Sequence, residues 1–311
     1  MKILIVHDAE CGSPDENDTI DQVNFVVDSL VDIAVLKVYR VDRSNLDGLT
    51  ETVVSFCPDV VFNLAENRLI HAVPLLLDEL KVPYTGNSAA VLLLTTDKLL
   101  FKKMMPKSMT PPFITENRGR IRKGHAYIIK SVNGDASVGI DDDAVFYPRD
   151  TADARCRLQM RKVPSFAEMF IDGREFSIAV LPDKTGNCEF FPPREVCFHD
   201  FPADKPKILG YKAKWAEDSF EYQNTLTKTN GLKNEPDLLR LMMRCVDTVR
   251  KRFALRGYAR IDFRVSPQGV PYVLEVNANP CISPFGSGFY NSFTEKGYKG
   301  SDLVKRIVDA V

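Results

Sequence analysis

Residues 260–280, RIDFRVSPQGVPYVLEVNANP, place an arginine, an aspartate, a glutamate and two asparagines in a stretch that otherwise alternates like a short β-hairpin. With SPQG (266–269) as its turn and Val265 facing Val270, Asp262 falls opposite Val273 and Arg260 opposite Glu275. Side chains alternate across a strand, so Arg260 and Asp262 share a face with Glu275 and Asn277, while Ile261, Phe263, Leu274 and Val276 turn into the other layer. Two carboxylates and an amide oxygen are hard ligands suited to Mg²⁺, which keeps waters and shares itself with substrate phosphates. The plainer alternative is a solvated face with an Arg260–Glu275 salt bridge, worth about 0–1 kcal/mol.

A second constellation is IIKSVNGDASVGIDDD (128–143), a strand ending in Lys130 followed by a loop. Gly134, Ser137 and Gly139 keep that loop small, as a backbone that covers phosphates requires. It is neither GxxxxGK[ST] nor GxGxxG, and a plain hairpin loop is the alternative. The third is FAEMFIDGREFSIAVL (166–181), where Glu168 and Glu175 bracket an apolar stretch. It offers backbone groups and an apolar wall to a purine base, or is simply two strands with a turn at Asp-Gly.

The elements that must hold these groups read as follows. Runs at 2–6, 33–39 and 59–64, with a helix-like TIDQVNFVVDSL between the first two, predict a small parallel α/β unit. HAVPLLLDELKV predicts a helix, PYTGN a turn, and AAVLLLTTDKLLFKKMM one further helix, before the proline pair near residue 110 marks a boundary. Strands and turns dominate from 111 to about 225, in an α+β pattern. EPDLLRLMMRCVDTVRKRFAL then carries Leu238, Leu241, Met242, Cys245, Val249 and Phe253 at helical spacing, and SDLVKRIVDAV predicts a closing helix.

With 311 residues, 44% of them hydrophobic, the chain can furnish substantial cores. Its 41 basic and 42 acidic side chains nearly cancel, which argues against nucleic acid as a partner and requires any phosphate site to be built locally. Seven scattered cysteines without a CxxC suit reduced thiols, and the four-residue apolar run after Lys2 is far short of a membrane span, so a cytoplasmic protein is expected. The four histidines share no metal-ligand spacing.

Taken in order, Lys130, the glycine loop, Glu168 to Glu175 and RID…LEVNANP, which closes in D-x12-E-x-N, resemble the ATP-grasp superfamily and within it the D-alanine–D-alanine ligase-like branch. PYTGNSAAVLLLTTDKLLFKKMM extends the resemblance toward the N-terminus. It implies an ATP-grasp fold of mixed α/β and α+β class: an N-terminal Rossmann-like (preATP-grasp) domain over 1–85, a small central domain over 86–165 and a C-terminal domain over 166–311, with ATP between the last two. By the same resemblance Lys98 and Lys130 contact the phosphates, the loop from Gly134 to Gly139 covers them, Glu168 and the backbone of Met169, Phe170 and Ile171 meet the adenine, and Glu175 meets the ribose. Asp262, Glu275 and Asn277 match the ligands of Mg²⁺, for which Mn²⁺ can substitute. The implied chemistry is activation of a carboxylate as an acyl phosphate and its capture by an amine, with Arg260 holding the oxyanion. Small amino-acid-like substrates, no nucleic-acid or membrane partner and a homodimer complete the expectation.

The sequence departs from the family pattern in the amino-acid half. AENRLIHAVP stands where the family carries an HG…GEDG-like stretch. Ala136 and Trp215 replace the serine and tyrosine that fasten the family's loop, although Lys214 in GYKAKW is kept. Beyond the hairpin, CISPFGSGF has Cys281 where a glycine is expected, with Gly286 and Ser287 near the position of an acceptor serine. Glu66 stands where a first substrate would offer an ammonium group, or is an ordinary cap or surface acid; Cys281 is a thiol at the mouth or a small packing residue. Altered polar groups in a pocket move substrate choice more than they move ATP use. The readings left are an ATP-dependent ligase with shifted substrates, a true D-alanine–D-alanine ligase, and an ATP-binding protein without turnover.

Overall fold

The computed structural model describes residues 1–8, 14–66, 69–134, 139–229 and 232–311. The three early apolar runs form β1 (Lys2–His7), β2 (Val35–Arg40) and β3 (Val60–Leu64), a parallel sheet in the order β2-β1-β3. β1 is buried from Ile3 onward without alternation, because both faces are covered. Ile3 and Ile5 pack toward α1 (Pro14–Leu30) and α11 (Gly300–Asp309), while Leu4 and Val6 pack toward α2 (Leu46–Phe56) and α3 (Ala72–Leu80).

The single helix expected over residues 89–105 is broken into α4 (Ala89–Thr96) and α5 (Lys98–Met104). Asp97 is the cause. Its backbone is extended, and its carboxylate accepts from the N–H groups of Leu99 and Leu100, each at 2.8 Å, which caps the second helix. Lys98 thereby becomes a first-turn residue whose own N–H, lacking an intrahelical acceptor, donates to Val132 O at 3.0 Å.

A four-stranded antiparallel sheet follows: β4 (Phe113–Ile114), β7 (Ser165–Met169), β5 (Tyr127–Ser131) and β6 (Val145–Phe146) in that spatial order, backed by α6 (Thr151–Gln159). The larger sheet runs β11 (Thr225–Thr229), β10 (Arg194–Phe198), β8 (Arg174–Pro182), β12 (Ala259–Val265) and β13 (Pro271–Asn277), with β9 (Cys188–Phe190) beside β8. The two expected strands around Asp172-Gly173 therefore exist, but they are no hairpin: β7 and β8 lie in different sheets. At the crossing, a Cβ on Gly173 would sit 2.0 Å from Val265 O, so only glycine lets the chain pass.

One face of the larger sheet is filled by α9 (Pro236–Phe253) together with Val91, Leu92 and Phe101 of α4 and α5. The α9 stripe is Leu238, Met242, Cys245, Val246, Val249 and Phe253; Leu241, expected on it, is exposed, because the buried stripe is centred on Met242 and Val249 and leaves residue 241 about 100° to one side. The other face meets α10 (Gly288–Glu295) and α11, which joins it to the core of the first sheet. Two short helices, α7 (Tyr211–Trp215) and α8 (Phe220–Gln223), precede β11. The first-sheet core ends at Tyr84, so the chain does change cores near residue 86, but packing then places α4 and α5 with the larger sheet rather than with the small central one, and β7 stays with the smaller sheet past residue 165.

Asn87 locks the first junction. Its Oδ1 accepts from the N–H groups of Arg256 and Gly257, both at 3.0 Å, and its Nδ2 donates to Tyr258 O at 3.1 Å and Ala278 O at 2.8 Å. This ties the turn after α3 to the start of β12 and the end of β13. Both ends of the polar hairpin are held by one side chain.

Candidate active site

The hairpin turns between Val265 and Pro271, not Val265 and Val270, and a bulge between Asp262 and Phe263 adds Leu274 on the second strand. Asp262 therefore faces Glu275, and Arg260 faces Asn277. The register differs from the expected one by two residues at this end, and a shift of two preserves the face. All four polar side chains lie together. Arg260 donates to both oxygens of Asp262, from Nε at 2.8 Å and Nη2 at 2.9 Å, and Asn277 Nδ2 donates to Asp262 Oδ2 at 3.1 Å.

Glu275 meets Lys98, whose Nζ lies 3.2 Å from Oε2 and also donates to Gly134 O at 2.6 Å. The helix break at Asp97 is what delivers this lysine, linking α5, Glu275 and the first glycine of the loop. Burial alone would push the Glu275 carboxyl up. The charges of Lys98, Lys130, Lys214 and Arg260 outweigh it and bring the pKa down to about 2.

On the facing sheet Lys130 lies 2.6 Å from Glu168 Oε1. The other oxygen, Oε2, lies 2.5 Å from Lys102, a residue sequence reasoning did not single out. Lys102 and Glu168 are each 1% exposed at the side chain against 12% for Lys130. Burial would raise the Glu168 carboxyl, but the two ammonium groups hold it below the usual carboxylate range. The next residues form a strap whose N–H groups are engaged behind it, Met169 with Pro112 O at 2.8 Å and Phe170 with Ala126 O at 2.9 Å. Ile171 O accepts from Arg264 at 3.4 Å, and Glu175 Oε2 lies 2.7 Å from the same arginine.

Two further segments approach this cleft. Lys214 of α7 is half-buried, and burial together with the Arg260 charge holds its pKa below the usual lysine value. Gly139 has φ +74°, a conformation that suits glycine, and the following Ile140 O accepts from Tyr211 N at 3.1 Å, so the end of the glycine loop touches the start of α7. Ser137 and Ala136 lie outside the described residues.

The other end of the hairpin leads to Cys281. Burial and the neighbouring Asp18 push its thiol well above the usual value, so it is no activated nucleophile. Asp18 bonds both Cys281 and Ser283, and Gln22 accepts from Ile282 N at 3.0 Å while donating to Glu66 Oε1 at 3.3 Å. Glu66 in turn donates from its N–H to Asp8 Oδ1 at 2.9 Å. Gly286 takes φ +90° before Ser287, which caps α10 by accepting from Tyr290 N and donates to Cys281 O. Asp18 and Gln22 were not expected here. They come from α1, more than 250 residues away from the loop they touch.

Residues 116–309 match the family model described as the D-ala D-ala ligase C-terminus. An uncharacterized protein of Sinorhizobium fredii is 28% identical over 284 residues, covering 84% of this chain and 80% of its own. The D-alanine–D-alanine ligase of Pelagibacter ubique is 27% identical over 263 residues, covering 78% of each. Among solved structures, D-alanine–D-alanine ligase from Bacillus anthracis superposes over 100% of this chain and 97% of its own, with a TM-score of 0.76 at 19% identity. That likeness establishes the ATP-grasp fold.

Proposed function

Because the chain belongs to the D-alanine–D-alanine ligase family and is an ATP-dependent, amide-forming ligase of that kind, we propose that it joins two small amino acids through an acyl phosphate at the face of β12 and β13. The observation that carries the reading is the convergence of Arg260, Asp262, Asn277, Glu275 and Lys98 on one surface. Lys130 and Glu168 face it from the smaller sheet. ATP lies between the two sheets, its phosphates met by Lys98 and Lys130 beneath the loop from Gly134 to Gly139. The Met169–Ile171 strap lies along the base, with Glu175 at the ribose.

The donor set fits a hard divalent cation. Asp262 and Glu275 are cross-strand neighbours with Asn277 beside them, and each carboxylate is already charge-matched by Arg260 or Lys98. Asp262, Glu275 and Asn277 would hold Mg²⁺, or Mn²⁺ in its place, and the ion would supply neutralisation of the charge shared between transferring and leaving oxygens. The protein's own part is positional. Lys98 and Lys130 orient the γ-phosphoryl group toward the substrate carboxylate, which attacks the γ-phosphorus, breaks its bond to the bridging oxygen and displaces ADP to form the acyl phosphate. Arg260 stabilises the oxyanion that forms when the second substrate's amine attacks the acyl carbon, after which phosphate leaves. A planar guanidinium already fixed by Asp262 needs no reorganisation at that moment.

Glu66 and the Cys281–Ser287 loop receive the amino-acid substrates, with an ammonium group favoured at Glu66. The free thiols of Cys57, Cys156, Cys188, Cys197, Cys245 and Cys281 support a reducing, cytoplasmic setting, and no described helix is long and apolar enough to cross a membrane. ADP release measured across pairs of D- and L-amino acids, with mass spectrometry of the product, tests the proposal. Release that requires amino acids and yields an amide, lost in Arg260→Ala and Glu275→Gln, is the expected result. Stimulation by D-alanine alone would identify a D-alanine–D-alanine ligase proper, and ATP binding without turnover on any pair would overturn the ligase assignment.

A further inference from the structure

Arg264 is the next residue along the face of Arg260 and Asp262, yet it is only 4% exposed and belongs to no part of the chemistry above. Its position on β12 is opposite Glu175 of β8, and the register sets their pairing: Nη2 lies 2.7 Å from Glu175 Oε2. The rest of the guanidinium is spent on backbone. Nη1 donates to Gly173 O at 3.1 Å and Ile171 O at 3.4 Å, and Nη2 donates to Lys207 O. Its plane lies over Phe170 at 5.2 Å and Phe198 at 5.9 Å from the ring centroids.

One buried cation thus gathers the 170–173 strap, Glu175, the 207 segment and the face of β10. A buried ion pair is a poor device for stability alone, since apolar residues of the same volume often do as well. A guanidinium fork does fix directions. It holds one carboxylate oxygen and two strap carbonyls in a set geometry, which a hydrophobic side chain cannot do.

We propose that Arg264 is the positioning residue of the nucleotide's ribose pocket: without touching the nucleotide, it aims Glu175 at the ribose hydroxyls and anchors the strap beneath the base. This rests on the placement of ribose at Glu175 proposed above. The same guanidinium links that pocket to the 207 segment, three residues before Gly210 and the start of α7.

The test compares the dissociation constants of ATP and 2′,3′-dideoxy-ATP by calorimetry, together with kcat at saturating ATP. A hydroxyl bonded to a charged partner is worth about tenfold or more in binding, so the wild-type protein is expected to favour ATP by that factor. In Arg264→Met the preference is expected to fall to about twofold, while kcat changes little because Lys98, Lys130 and Arg260 are untouched. Arg264→Lys keeps the charge without the fork and is expected to lose most of the preference as well, which keeps the test valid where the methionine variant folds poorly. Wild-type preference retained in both Arg264 variants overturns the inference. Glu175→Gln separates the two levels: if it leaves the preference unchanged, the ribose assignment falls and the role of Arg264 with it. If it abolishes the preference while the Arg264 variants do not, only the role of Arg264 falls.

Discussion

Lys102→Met is expected to destabilise the protein by about 3 kcal/mol, an effect out of proportion to a lysine that sequence alone would leave on a helix surface. The magnitude follows from the burial of both partners. Lys102 and Glu168 are each 1% exposed at the side chain and 2.5 Å apart, so the substitution leaves a carboxylate in the interior with only Lys130 to neutralise it. Breaking a buried pair costs about 3–5 kcal/mol, and Lys130 at 2.6 Å keeps the loss at the low end. At about 2 °C per kcal/mol for a chain of this size, the melting temperature should fall by roughly 6 °C. Urea unfolding of Lys102→Met, Glu168→Gln and the double variant completes the cycle. Removing both charges relieves the orphaned partner, so the double variant should be more stable than the sum of the singles by about 2 kcal/mol. A Lys102→Met loss within about 0.5 kcal/mol of zero, or additive singles, would refute the reasoning.

Other expectations follow from the same geometry. Arg260→Met should lower kcat by about 10²–10³-fold while the dissociation constant of ATP moves much less, because the partner proposed for it is an oxyanion formed after nucleotide binding; kcat and ATP titrations check this. Asn87→Ala strips two N–H groups and two carbonyls of their partners and should cost about 3 kcal/mol in urea unfolding. Glu275 has a folded-state pKa of about 2 against 4.5 in the unfolded chain, so its contribution is fully present above pH 4.5 and drains as pH falls toward 2. Urea midpoints from pH 5 to pH 2.5 should therefore fall less steeply in Glu275→Gln than in the wild-type protein. Iodoacetamide at pH 8 should label the exposed Cys57 and Cys156 well before Cys281, whose thiol is held protonated by burial and by Asp18; peptide mapping gives the order.

The parallel first sheet could be read from three short apolar runs because β1, covered on both faces, needs no alternation to be recognised. The face of the hairpin could be read as well, although its register could not. A bulge adds one residue to one strand, which no alternation pattern displays, and the turn closes one residue later than SPQG suggests. The two slips sum to an even number, so the polar side chains stayed together. The break at Asp97 was hidden for a different reason: eight apolar or small residues before it and KLLFKKM after it each read as helix, and only the extended backbone of the capping aspartate divides them.

Lys102 and Arg264 are different, since the signal was present in the spacing. Lys102 lies four residues after Lys98, on the same face of α5, and Arg264 lies two after Asp262 and four after Arg260 on β12. Extending each periodicity by one step finds the counter-ion of Glu168 and the partner of Glu175. No such step leads from Cys281 to Asp18 or from Ile282 to Gln22, because those contacts join the first helix to the loop before α10, about 260 residues away. The residues proposed for the nucleotide are thus marked by local spacings of two and four, whereas those proposed for the amino acids carry no such mark and meet only through tertiary contacts. Substitution at Asp18 or Gln22 should accordingly shift which amino acids are joined while leaving the Lys98, Lys130 and Glu168 contacts as they are.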